Sequence, residues 1–286
     1  MDRIGVIGLG RMGSAIAARF AARGAGVTGW TRSGLADARA AELGIAQAET
    51  LPDLVAASDI LVTSLFDDAA VAEVLDTLLT CDLRGRLIVE TSTVIPALLT
   101  DRIAALHAKG ADAVDAPISG GPEMVQAGTC GIFIGGSAAA ASRAEAALAA
   151  IGARIFHVGP LGTGLVMKTI NNAMMQTYAA GLREMLPVAK RAGLSLEMAL
   201  SILCGGPAGM PMIRDRLPKI LGSDPVVGFP MTAVVKDHDV FLRVVESYGL
   251  HAPVLAMAGE MQRASVAAGL GDADPGHAIA AAYAKG

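Results

Sequence analysis

Two groups of residues could do chemistry by type and spacing. Gly8-Leu9-Gly10-Arg11-Met12-Gly13 spells G-x-G-x-x-G between a short apolar run and an amphipathic stretch. Gly8 permits a tight turn, Gly10 lets the backbone approach a pyrophosphate, and Gly13 lets a helix touch the preceding strand. The phosphates would rest on amides at the helix N-terminus, favoured by its dipole. With 34 glycines in the chain the string alone is weak. Its strand–turn–helix setting makes a dinucleotide the expectation over a bare glycine turn.

The second group is Lys168 and Asn172, four apart in a stretch that reads as helix, so they share a face. Leu165, Val166, Met167, Ile170 and Met174 surround them. A poorly hydrated lysine has a depressed pKa and suits general acid–base work. On residue types alone, a snorkelling lysine is the commoner explanation. Ser119-Gly120-Gly121 adds a turn whose hydroxyl and amides could converge on an anion, or could be merely structural.

The second apolar run selects between cofactors. It ends Gly29-Trp30-Thr31-Arg32-Ser33 without the acid that accepts a ribose 2′-hydroxyl in NAD sites. Arg32 offers a charged fork to a 2′-phosphate, and Thr31 and Ser33 add hydroxyls. NADP is therefore expected over NAD, the alternative being a solvated arginine in a loop.

These residues need a frame. In the first half, short apolar runs at 4–7, 26–30, 60–64, 87–90, 112–115, 131–134 and 154–157 alternate with helical stretches at 14–23, 69–79, 98–109 and 138–151. That alternation signals βαβ units, right-handed crossovers and a doubly wound, mainly parallel sheet. After Gly159-Pro160 the pattern turns helical: one long helix over 165–191, with Pro187 able to kink or end it, then 196–203, 231–247 and 253–268. The expected fold is α/β: an N-terminal Rossmann-type domain, 1–160, followed by an all-α domain, 161–286.

Composition narrows the class. The chain has 286 residues, 53% hydrophobic, 17% charged and 3% aromatic, so aliphatic side chains build the core. A net charge of −4 gives no basic footprint for nucleic acid or anionic membrane. No apolar run reaches the roughly 20 residues that span a bilayer, and the first strand starts too early to leave room for a signal peptide. Cys81, Cys130 and Cys204 lack metal-like spacing and read as core residues. His107, His157, His238, His251 and His277 form no ligand-like cluster. A cytoplasmic location is expected.

Several ordered motifs carry a resemblance that spans nearly the whole chain. Gly8 to Gly13, Asp115-Ala116-Pro117-Ile118-Ser119-Gly120-Gly121 with Gly128-Thr129, Gly162 to Asn172 as G-x-G-x-x-x-K-x-x-N-N, and Lys236-Asp237 resemble, in order, motifs of the β-hydroxyacid dehydrogenase family. That family includes 3-hydroxyisobutyrate dehydrogenases and semialdehyde reductases. The resemblance implies that Lys168 is the general acid/base and that Asn172 holds substrate beside it. It implies that Ser119, Gly120 and Gly121 bind the carboxylate of a small-molecule substrate. Gly8, Leu9, Gly10, Arg11, Met12, Thr31, Arg32, Ser33, Ser64, Leu65, Thr93 and Lys236 would contact NADP, no metal would take part, and a homodimer or homotetramer would form. For Lys236 an ion pair with Asp237 or Asp239 is the competing assignment.

The chain departs from the family at two places. Phe66 stands where many relatives carry proline, and Cys204-Gly205-Gly206-Pro207-Ala208-Gly209-Met210 replaces a Gly-x-Ser-Trp-like segment, removing a bulky aromatic. Imine reductases resemble this architecture but usually have Asp or Tyr at the position of Lys168. A 6-phosphogluconate dehydrogenase would be longer, with His at the position of Asn171. A non-catalytic NADP-binding protein would not need Lys168 and Asn172 together.

Overall fold

The computed structural model describes residues 2–286. The chain divides into two compact units, 1–169 and 170–286.

The first unit opens β1 (Ile4–Ile7), α1 (Arg11–Ala22), β2 (Val27–Trp30), α2 (Asp37–Leu43), β3 (Ala46–Gln47), α3 (Leu51–Ala57) and β4 (Ile60–Thr63). It continues α4 (Asp68–Leu78), β5 (Leu87–Glu90), α5 (Ala97–Thr100), α6 (Ile103–Ala108) and β6 (Asp112–Asp115). It closes with β7 (Ile118–Ser119), α7 (Pro122–Ala127), β8 (Cys130–Gly135), α8 (Ala138–Leu148), β9 (Gly152–Gly159) and the start of α9 (Thr163–Arg191).

Strands β3-β2-β1-β4-β5-β6 are parallel neighbours in that order. The order reverses between β1 and β4, where a doubly wound sheet opens its ligand crevice. Successive side chains alternate between two cores, as a sheet covered on both faces requires. Ile4, Val6, Ile60, Val62, Leu87 and Val89 pack with Ile16 and Phe20 of α1 and Leu148 of α8. Ile7, Leu61 and Ile88 pack on the other face with Leu54 of α3 and Leu75 and Leu78 of α4. Phe20 and these aliphatics are almost wholly buried, and truncating one to alanine costs about 2–5 kcal/mol.

Beyond β6 the sheet changes direction. Strand β8 is antiparallel to β6 and β7, and β9 is parallel to β8. Asp115 opposite Gly135, Ile118 opposite Ile132 and Ser119 opposite Gly131 keep one register, so β6 and β7 are successive stretches along the same edge of β8. The reversal brings the start of β8 to the ligand edge of the sheet.

The segment expected as one helix over 98–109 is two, α5 and α6. They part at Asp101-Arg102, where the Arg102 guanidinium is drawn to Asp76 of α4 (2.7 and 3.2 Å).

The second unit holds the rest of α9 with α10 (Leu196–Gly205), α11 (Pro211–Ile220), α12 (Met231–Ser247), α13 (Pro253–Ser265) and α14 (Pro275–Ala284), and no strand among the described residues. Leu182, Leu186, Leu200, Ile213, Ile220 and Ile279 form its core. Helix α9 continues through Pro187, which removes one ladder hydrogen bond. The flanking Leu182 and Leu186 are buried, and this packing keeps the turn helical. After α13 a π-helical turn, 266–270, ends in the left-handed Gly269 (φ 89°).

Candidate active site

Register builds the site. Trp30 pairs with Ile7, Ile7 with Thr63, Thr63 with Glu90, and Glu90 with Asp115, so one row crosses five parallel strands at their C-terminal ends. The loops that begin one residue later carry most residues singled out in the first unit: Gly8–Met12, Thr31–Ser33, Ser64–Leu65 and Thr93.

The glycine loop closes on itself and on the loop after β4 only because Gly8 and Gly13 carry no side chain. Gly8 has φ 91°, and a Cβ there would lie 2.4 Å from the Ser64 carbonyl oxygen. A Cβ on Gly13 would lie 1.8 Å from the Gly8 oxygen. Around Gly10 nothing lies within 4 Å of the Cβ position. Gly10 is the N-cap of α1 and, lacking a side chain, supplies no hydrogen bond of its own to the first-turn amides. Tight contact at Gly8 and Gly13 with open space at Gly10 fits a pyrophosphate. Leu9 and Met12 anchor the loop against the core, and the Ser14 hydroxyl donates to the Leu9 carbonyl (2.9 Å).

Past β2, Thr31, Arg32 and Ser33 border a recess of about 540 Å³. The Arg32 guanidinium pairs with Glu73 of α4 at 3.1 Å, both largely exposed. Such a pair is worth little in water, so an anionic ligand could displace the carboxylate.

The loops after β4 and β5 are tied together. The Leu65 N–H donates to the Ser92 hydroxyl (2.8 Å), the Ser92 N–H to Glu90 (2.6 Å), and the Thr91 hydroxyl to the Thr63 carbonyl (2.6 Å). Glu90 is wholly buried, and burial lifts its carboxyl above the ordinary range. This network sets the course of the backbone through Ser64, Leu65 and Thr93.

Lys168 is 8% exposed, and its Nζ donates to the Ile118 carbonyl at 2.6 Å. The ammonium is therefore moored one residue before Ser119. The helix beneath it is capped from β6: Asp115 accepts the N–H of Gly162 at 2.6 Å and of Leu165 at 2.7 Å. Burial raises Asp115 to about 6, opposed by these amides. Gly162 takes φ 94°, and a Cβ on Gly164 would lie 2.3 Å from the Phe133 oxygen, so both motif glycines let α9 start against the sheet. Beside this corner, burial pushes the Cys130 thiol up to about 11, leaving it protonated and inert. The Glu123 carboxylate folds over Gly121 at the start of α7.

In the second unit, Asn172 lies one turn beyond Lys168 on α9 and accepts from the Asn171 amide (2.9 Å). Lys236 on α12 pairs with Asp237 at 2.8 Å. His238 is buried and bonded to Gln176 (2.7 Å). Sequence reasoning did not assign roles to Asp115, Glu90 or Glu73. An acid closing an apolar strand, as in Leu87-Ile88-Val89-Glu90, was the available signal for the first two. Nothing in the sequence pairs Glu73 with Arg32.

Among the described residues no cluster of His, Cys, Asp or Glu could hold a metal ion, and no helix is long and apolar enough to cross a membrane.

A glycine cradle at the switch point of a doubly wound sheet, with a buried lysine at the β6–β7 corner of the same unit, defines a dinucleotide-binding protein. Residues 3–159 match the sequence profile of the NAD-binding domain of 6-phosphogluconate dehydrogenase. Residues 162–282 match that described as the NAD-binding domain of NADP-dependent 3-hydroxyisobutyrate dehydrogenase. The chain is 31% identical over 276 residues to 2-(hydroxymethyl)glutarate dehydrogenase of Eubacterium barkeri, covering 95% of this chain and 92% of that protein. Its structure is similar to 3-hydroxyisobutyrate dehydrogenase of Mycobacterium tuberculosis with L-serine (TM-score 0.88, 26% identity, 98% of each chain). It is also similar to an imine reductase of Myxococcus stipitatus in complex with NADP+ (TM-score 0.64, 26% identity, 99% of each chain). The chain belongs to the NAD(P)-dependent β-hydroxyacid dehydrogenase family, of the 3-hydroxyisobutyrate dehydrogenase type.

Proposed function

We propose that this chain is an NADP-preferring oxidoreductase that moves a hydride between the nicotinamide and C3 of a small 3-hydroxy acid or the matching semialdehyde. The observation that carries the reading is Lys168, buried, with its ammonium bonded to the carbonyl beside Ser119. The nicotinamide, when bound, supplies the hydride in reduction and accepts it in oxidation.

The protein contributes placement and a proton. Ser119 and the amides of Gly120 and Gly121 hold the substrate carboxylate. Lys168 protonates the oxygen on C3 as the carbonyl is reduced, and takes that proton back in oxidation. Asn172, one turn along α9, holds the same oxygen beside Lys168. Arg32, with Thr31 and Ser33, takes the 2′-phosphate, and Lys236 contacts the cofactor. The 2-(hydroxymethyl)glutarate and 3-hydroxyisobutyrate dehydrogenases named above support a small carboxylate substrate through their own names. Exposed Met185, Met198, Ile202 and Met257 on the helical unit support a homodimer or homotetramer, which light scattering tests.

Lys168→Ala tests the reading. General acid catalysis contributes on the order of 10²–10⁴-fold, so kcat falls by that order while NADPH affinity, followed by fluorescence, is kept. Unchanged turnover would remove Lys168 from the reaction. Imine reduction is the rival chemistry, and the ammonium at 168 favours the hydroxy acid reading over it.

A further inference from the structure

The corner formed by β7, β8 and β9 carries a charge with no role so far. Ser119 lies opposite Gly131, and Gly131 opposite Arg154, across three adjacent strands. Residues aligned in this way face the same side of a sheet. Gly131 has no side chain, and its neighbours close in on the space. The point where its Cβ would stand is 3.4 Å from Arg154 Nη2 and 3.5 Å from the Ser119 Cβ. The guanidinium therefore folds back across β8 toward Ser119. A larger residue at 131 would push it away.

Lys168 belongs to the same corner, because its Nζ bonds the carbonyl of Ile118, the residue before Ser119. One cation is thus held at the backbone beside Ser119, and a second, Arg154, reaches toward it across β8. Among the described residues Arg154 forms no ion pair, so its fork of donors is available to a ligand. A planar guanidinium matches a carboxylate in shape as well as charge.

We propose that Arg154 binds the substrate carboxylate together with Ser119, making this chain select acids over neutral carbonyl compounds and imines. This rests on the reading of Ser119 to Gly121 as the carboxylate site. Arg154 then fixes the carboxylate end of the substrate, while Lys168 addresses the oxygen on C3.

Calorimetric titration of the NADPH-loaded protein with 3-hydroxypropanoate and with its methyl ester tests this without turnover, because both partners are already reduced. The wild type is expected to bind the acid more tightly than the ester. A charge-assisted hydrogen bond is worth about tenfold or more in affinity. Arg154→Gln should lose that factor for the acid and leave the ester unchanged, and Arg154→Lys should recover part of it. If Arg154→Gln keeps the acid preference while Ser119→Ala loses it, the carboxylate sits at Ser119 without Arg154 and the proposal is overturned alone. If the wild type shows no preference, or neither variant alters it, the carboxylate site lies elsewhere and both readings fall.

Discussion

Asp115 and Leu165, fifty residues apart in sequence, are joined by a buried hydrogen bond of 2.7 Å from the Leu165 N–H to Oδ2. With the companion bond from Gly162 to Oδ1, a carboxylate at the end of β6 caps the first turn of the helix that bears Lys168. Each oxygen accepts from a different amide, a demand that an ionised carboxylate meets and a carboxamide does not. We therefore expect Asp115→Asn to lower kcat about tenfold or more while NADPH binding is kept. An activity equal to wild type would show that the cap does not position Lys168.

The pH dependence of the same residue has two signs. Burial raises the folded-state value to about 6 from 3.8, so the folded protein takes up this proton first as pH falls. The contribution to stability is fully present below 3.8 and is lost as pH rises through about 6, a difference on the order of 3 kcal/mol. Activity goes the other way, because protonation removes an acceptor from the cap. Turnover should fall below about pH 6, and the Asp115→Asn variant should lack that limb. A pH–rate profile that is the same in both proteins sinks the assignment.

Gly10 and Gly13 should respond differently to alanine. At Gly13 the new Cβ meets the Gly8 oxygen at 1.8 Å, so backbone must move and stability falls by a few kcal/mol. At Gly10 the Cβ enters open space, so thermal stability holds and only NADPH binding suffers. Melting curves with and without NADPH separate the two. Equal melting losses without cofactor would contradict the cradle.

Arg32→Gln should weaken NADPH binding about tenfold or more and leave NADH within about twofold. Fluorescence titration with both cofactors measures the ratio. Equal losses for the two would mean that Arg32 does not read the 2′-phosphate.

The parts of this fold with a strong local signal were legible in the sequence. The runs at 4–7, 87–90 and 112–115 form β1, β5 and β6 with those same limits, and the helix expected over 231–247 is α12. Helices α2 and α3, of seven residues each, are too short to show a period. Strand β7 has two residues and exists only through its pairing with β8. The break at Arg102 depends on Asp76, a partner 26 residues away. The grouping of Asp115, Ser119, Arg154 and Lys168 is likewise set by strand register and a helix cap, which no single stretch of sequence displays.

The turned strand β8 has a consequence for how such a protein can change. Strand β8 and the helix α7 that leads into it lie outside β1 to β5, yet α7 packs on α1, where Arg19 donates to the Ala127 carbonyl and lies against Gly128. Lengthening or shortening the 120–130 region would therefore be felt both at Ser119 and at the helix that opens on the glycine loop. Changes there that keep the Arg19 contact can alter the surroundings of Ser119 while the coenzyme grip is inherited intact.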